Sequence, residues 1–170
     1  ATPEMLTEIS QSWLPLGRRD VDEALLKNPA TPAALLTAVV DAGTDNYLVT
    51  LAGAHANTPM AALEKIAAGP LSYDRVAGLA GNTRLTPAMA QRLANVSRGN
   101  FPGDIEYKLY QTMVLAALAR NPATPQDIFD RLAAREAPEY FLSVAVIYAA
   151  RSSCAQIARA GASGSDVLYS

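Results

Sequence analysis

Thr-Pro occurs five times in this 170-residue chain, at Thr2-Pro3, Thr31-Pro32, Thr58-Pro59, Thr86-Pro87 and Thr124-Pro125. The spacings are 29, 27, 28 and 38 residues, the last being one period plus about ten. A sixth copy without Pro follows at Ser153-Cys154. A fixed period of this size marks stacked units, none of which buries its apolar face alone.

Local chemistry explains the dipeptide. Thr at an N-cap offers its side-chain oxygen to an unpaired first-turn amide, and Pro at the first helical position costs no hydrogen bond. A short amphipathic run follows each copy: PEMLTEI, PAALLTAVV, PMAALEKIA, PAMAQRLA, PQDIFDRLA and CAQIARA. The pairs Leu35/Val39, Leu63/Ile66 and Ile128/Leu132 fall at helical spacing. A second apolar run precedes each copy: DEALL, YLVTLAGA, YDRVAGLA, YQTMVLAALA and YFLSVAVIYAA. Each ends in a breaker, and Asn-Pro is a strong one because Pro pushes its predecessor out of the α region. The string NPATP, at 28–32 and again at 121–125, therefore reads as a corner joining two helices.

These signals predict an all-α chain. The expected architecture is an α-solenoid of about five to six two-helix repeats of 27–29 residues, forming a single domain over 1–170 with an inserted loop at about 95–106.

NPATPAALLTAV and LARNPATPQDIFDRLA resemble the leucine-rich repeat variant family, whose motif is close to V-A-x-N-P-x-T-P-x-x-L-L-x-x-L-A. ANTPMAALEKIA and RLTPAMAQRLA match it in part. The resemblance implies a curved, all-helical array that binds protein.

Composition narrows the chemistry. Formal charge is −2, which supplies no general attraction to nucleic acid or anionic lipid. Of the 14 basic residues, only Lys27, Lys65 and Lys108 are lysines. An Arg excess suits phosphate or carboxylate recognition, and it equally suits an Ala-rich chain with no such role. Cys154 is the only cysteine and His55 the only histidine, so no internal disulfide, Cys-based zinc or iron–sulfur site, or conventional triad is expected. No phosphate loop or nucleophile elbow is written in the chain. No catalytic residue, cofactor or metal is expected.

Several residues stand out as candidates for partner binding. Tyr47, Tyr73, Tyr110 and Tyr140 stand near the start of successive non-Thr-Pro helices, with Tyr107 one turn from Tyr110. They read either as wedges between repeats, with the hydroxyl reaching solvent or backbone, or as an aromatic stripe on a binding face. The insertion ANVSRGNFPGDIE offers Phe101 between Arg98 and Asp104 as an anchor, or else is a tolerated surface loop. His55 is expected to cap a helix C-terminus. Asp20, Asp22 and Glu23 read as a solvated charged linker.

The expected function is non-enzymatic protein or peptide binding by a helical-repeat scaffold, with no membrane partner. Two other readings stay open. In one, Arg75, Arg84, Arg92, Arg98, Arg120 and Arg151 converge on a nucleic-acid groove. In the other, the chain is a structural segment of a larger protein. The C-terminal repeat, around Val144, Ile147 and Ile157, is expected either to pair with a second copy as a homodimer or to join further sequence in a parent chain.

Overall fold

The computed structural model describes Thr2, residues 4–8 and residues 19–133. Tyr140, Cys154, Arg151 and the expected C-terminal dimer surface lie outside the described residues. Every regular element among the described residues is helical. The helices are α1 (Arg19–Leu26), α2 (Ala33–Ala42), α3 (Asn46–Ala54), α4 (Met60–Ala68), α5 (Tyr73–Gly81) and α6 (Pro87–Ala94), then a 3-10 turn (Arg98–Asn100). Next come α7 (Asp104–Tyr110), a π-helical turn (Gln111–Leu115) and α8 (Ala116–Arg120), followed by α9 (Gln126–Ala133). The residues at both joints, Tyr110 and Ala116, keep right-handed helical angles. The segment 104–120 is thus one continuous rod.

Helices that precede a corner pack in succession: α1 on α3, α3 on α5, α5 on the rod. Helices that follow a corner do the same: α2 on α4, α4 on α6, α6 on α9. Between the two rows lies one apolar core, which includes Leu36, Val40, Val49, Leu63, Ile66, Val76, Leu79, Leu93, Val114, Leu118 and Ile128. The periodic aliphatic positions of the sequence supply it, and removing them from water is the main favourable term in folding.

The tightest approach is between α3 and α5. A Cβ on Gly78 would overlap the Thr50 carbonyl, and one on Gly53 would stand 3.1 Å from the Leu79 amide nitrogen. Thr50 Oγ1 donates to the Asp74 carbonyl at 2.7 Å across the same contact. Only residues without side-chain bulk allow two helix backbones to come this close.

The corners form hydrogen bonds in a way the sequence did not suggest. Thr86 is a true N-cap, accepting from the Met89 amide at 3.3 Å, and Thr2 accepts from Met5 at 3.4 Å. Thr31, Thr58 and Thr124 are buried and point the other way. Each hydroxyl donates to a carbonyl six residues earlier, at Leu25, Ala52 and Leu118 respectively. The expectation of an N-cap at all five Thr-Pro threonines is corrected: Thr2 and Thr86 accept from a first-turn amide, and Thr31, Thr58 and Thr124 do not cap the helix that follows. In the three buried cases the Thr closes the end of the preceding helix, whose last carbonyls lack helical partners. Alignment on the corner Asn explains the exception. Thr31, Thr58 and Thr124 stand three residues after Asn28, His55 and Asn121, whereas Leu85 holds that place after Asn82. The corner 82–86 has the same length as 55–59 and 121–125, but its Thr-Pro stands one residue later, so Thr86 takes the N-cap place that Pro59 holds for α4.

Candidate partner-binding site

The corner residues build a ladder of side-chain bonds. Asn121 Nδ2 donates to the carbonyls of Ala80 (2.8 Å) and Asn82 (2.7 Å). Asn82 Nδ2 donates to Gly53 (2.7 Å) and His55 (3.2 Å). One step earlier, His55 Nε2 stands 2.9 Å from the Asn28 carbonyl. The other side-chain atom always serves locally: Asn28, Asn82 and Asn121 accept through Oδ1 from Ala30, Arg84 and Ala123. His55 Nδ1 accepts from Asn57 at 3.1 Å. The imidazole thus reproduces an asparagine amide, with Nδ1 the acceptor and the proton on Nε2. His55 does cap α3 as expected, its backbone N–H donating to the Ala52 carbonyl, and its ring binds the corner before it.

Basic side chains add a second set of links. Lys65 pairs with Asp41 at 2.8 Å. Arg84 donates to the Thr58 carbonyl at 2.8 Å, and Arg92 to the Ala68 and Gly69 carbonyls at 3.1 and 3.2 Å. Arg131 reaches Gln91 and Asn95. A cation at the C-terminal end of a helix meets its unpaired carbonyls, as Arg92 does at the end of α4. Arg75 donates to Asn46 Oδ1 at 3.3 Å, and Arg98 pairs with Asp104. Arg75, Arg84, Arg92 and Arg98 thus all direct guanidinium N–H groups at the protein itself.

The insertion folds inward. Ser97 and Asn100 form a reciprocal capping box around the 3-10 turn. Arg98 Nη1 donates to the Phe101 carbonyl at 3.2 Å, and the Arg98 hydrogen bond holds the Asp104 carboxyl below its usual range. Phe101, expected as an exposed anchor, is buried and is corrected to a core residue. Its ring centroid lies 5.0 Å from that of Tyr110 and 5.5 Å from that of Tyr107, in tilted geometry. Pro102 and Gly103 bend the chain directly after it, ahead of the rod. Tyr110 is fully buried, with its hydroxyl donating to the Leu93 carbonyl at 3.0 Å.

The structure therefore brings Arg98, Phe101, Tyr107 and Tyr110 together, as the pin beneath the rod. Tyr47 belongs to another group. Its hydroxyl donates to Glu23 Oε1 at 2.9 Å, and Arg19 stands 5.0 Å above its ring. Hydrogen bonds from Lys27 and Tyr47 lower the Glu23 carboxyl. Tyr73 is half-buried against the core. The wedge reading fits Tyr110 closely and Tyr47 in part.

Two features had no warning in the residue pattern. The expected charged linker is part of α1, and Asp22 is buried within it, Oδ1 having no hydrogen-bond partner. Burial, then Asp20 and Asp45, raise its carboxyl above the usual range. The second feature is the outer flank of the rod. Ile105 is 72% exposed and Met113 45%, with half-buried Leu109 between them at four-residue intervals. The rod has seven, five and five residues in its three parts, against nine in α3 or α5. At about 1.5 Å per residue it is some 12 Å longer than either.

Among the described residues no group of three or more His, Cys, Asp or Glu is placed to hold a metal ion. None of their helices is long and apolar enough to cross a membrane. No protein family, curated protein or solved structure matches this chain.

Proposed function

We propose that this chain is an α-solenoid of the kind its likeness to leucine-rich repeat variants implies, and that it works as a non-enzymatic module for binding another protein. The succession of helix pairs and the Asn/His ladder between corners support the solenoid reading. The binding reading is carried by one observation: the lengthened rod presents Ile105 and Met113 to solvent while Phe101, Tyr107 and Tyr110 pin it from below. Apolar side chains on a rigid helix lose little entropy on docking, and a helix face with four-residue spacing suits helix-in-groove or helix-on-helix contact. The partner surface is accordingly the outer flank of the rod, with Lys108 beside Ile105. Arg98 supports it from behind, and the half-buried Tyr107 stands at its margin.

The test is capture from the source cell with the full chain and with Ile105→Asp and Met113→Asp variants. Both positions are exposed, so the variants should melt with the parent. A protein retained by the parent and lost with both variants supports the reading. Equal retention by all three chains removes the rod from the interface. The nucleic-acid alternative predicts steeply salt-dependent binding in a mobility-shift assay, and the inward use of four arginines argues against it.

A further inference from the structure

Residues 97–102 are held against the rod by one buried ring and one exposed ion pair. Ser97, Arg98, Gly99, Asn100 and Pro102 are exposed, and Phe101 alone is buried. The remaining hydrogen bonds of the segment stay inside it. Asn100 N–H donates to the Ser97 carbonyl at 3.1 Å and Phe101 N–H to the Arg98 carbonyl at 3.2 Å, while the Ser97 amide donates to Asn100 Oδ1 at 2.7 Å. Among the described residues, the Arg98–Asp104 pair is the one polar tie from this turn to the rod. Its side chains are 47% and 74% exposed, and a pair so open to water holds weakly and is screened by salt. A segment with self-contained bonds and a single buried side chain opens by itself while the rest of the fold stays closed. The place it uncovers is already shaped. The Phe101 ring meets those of Tyr107 and Tyr110 at 5.5 and 5.0 Å, and Tyr110 is fixed independently by its hydroxyl on the Leu93 carbonyl at 3.0 Å. The lining therefore outlasts the ring that fills it.

We propose that residues 97–102 form a strap with Phe101 as its displaceable plug, and that the pocket under the strap takes an aromatic side chain of a protein partner. The present occupant identifies the class. It is a phenyl ring set against two tyrosine rings in tilted geometry, an arrangement that aromatic pairs favour. A charged or amide side chain would give up its water there without a new hydrogen-bond partner. An incoming ring competes with a tethered one, so its apparent affinity is the intrinsic affinity reduced by the open fraction. Weakening the Arg98–Asp104 latch raises that fraction. The pocket lies at the end of the rod that carries Ile105, so an aromatic anchor there extends the partner surface proposed above. The use of the pocket rests on that reading, and its test needs no partner, so the two fail separately.

The test titrates N-acetylphenylalaninamide into the full-length chain and follows the Tyr107 and Tyr110 ring signals by NMR. Three chains are compared: the parent, Arg98→Ala and Phe101→Ala. The expected order of affinity is Phe101→Ala over Arg98→Ala over parent, with Arg98→Ala about two- to tenfold tighter than the parent. The cyclohexyl analogue of the probe should bind Phe101→Ala more weakly than the phenyl one. Equal affinity for the parent and both variants would place the probe elsewhere and overturn the proposal. So would a folded Phe101→Ala that leaves both tyrosine signals unmoved, or one that binds the two analogues alike. Should Phe101→Ala fail to fold, Arg98→Ala decides by itself, since its core is complete: a gain over the parent supports the strap, and no gain overturns it. None of these outcomes alters the capture experiment with Ile105→Asp and Met113→Asp.

Discussion

The side-chain amide of Asn121 donates to the main-chain carbonyl of Asn82 at 2.7 Å, across 39 residues of sequence. Both residues are buried. Truncating either leaves carbonyls at the end of the preceding helix without a donor. Asn82→Ala and Asn121→Ala should each cost about 1–3 kcal/mol, read by urea unfolding. At position 55 the ring can be exchanged for the group it imitates: His55→Asn should hold stability within about 0.5 kcal/mol, and His55→Leu should lose about 1–2 kcal/mol. Equal melts for His55→Asn and His55→Leu would show that neither ring nitrogen matters.

The two kinds of corner threonine are separable by one substitution. Aspartate is a good N-cap, so Thr86→Asp should be tolerated within about 0.5 kcal/mol. Thr58 donates to the Ala52 carbonyl from a buried site. Thr58→Asp sets an acceptor against an acceptor in that site and should cost more than about 3 kcal/mol. Thr58→Ser, which keeps the donor, should recover most of the loss. Similar costs at positions 58 and 86 would contradict the opposed hydrogen-bond directions.

Two glycines of α5 give opposite expectations. At Gly81 an added Cβ meets nothing within 4 Å, so Gly81→Ala should stabilise by up to about 1 kcal/mol through helix propensity. At Gly78 the added carbon overlaps the Thr50 backbone, and Gly78→Ala should destabilise by about 1–3 kcal/mol or more. Thermal melts of the pair check both signs.

Asp22 should make part of the stability pH-dependent. Burial first, then Asp20 and Asp45, raise its folded-state carboxyl above the unfolded value. Between the two values the folded state binds more protons than the unfolded state, so stability from this group falls as pH rises through the raised value. The penalty is fully present at neutral pH and disappears below the ordinary Asp range. Asp22→Asn should therefore melt higher than the parent at neutral pH, with the difference shrinking toward acid. Glu23 and Asp104 carry the opposite sign, since their partners lower them. Their contribution is present above the ordinary carboxylate range and is lost as pH falls below it. A neutral or destabilising Asp22→Asn would show that this carboxyl is satisfied in the fold.

The helices and corners were legible because their signals are local: a Pro, an Asn and a four-residue apolar interval act within a turn or two. The direction of the Thr31, Thr58 and Thr124 hydroxyls was not legible. A threonine both donates and accepts, and only the position of the previous helix decides which role it takes. The slip at Leu85 was visible in the letters, as the gap from Asn82 to Thr86, but reading it required knowing that the corner Asn sets the register. The candidate site was the least legible. Phe101 before Pro102-Gly103 looks the same whether the loop folds over the core or away from it. Ile105 and Met113 look like core residues, and of the two only Ile105 lies in the part of the rod that exceeds the length of α5.

The corner ladder also separates two margins of the molecule. Along one margin the segments between helices are nearly constant: 27–32, 55–59, 82–86 and 121–125. Along the other they run from 43–45 and 69–72 to 95–103. The first margin behaves like the sewn spine of a book, where each leaf is stitched to the one before through Asn28, His55, Asn82 and Asn121. The second is the fore-edge, held by single arginine contacts, Arg92 to the Gly69 carbonyl and Arg131 to Asn95, in place of the Asn/His ladder. Pages can be cut to different lengths there without loosening the binding. New sequence can therefore enter at 69–72 as it entered at 95–103, and the surface this chain shows to other molecules can change at that edge while the spine keeps its register.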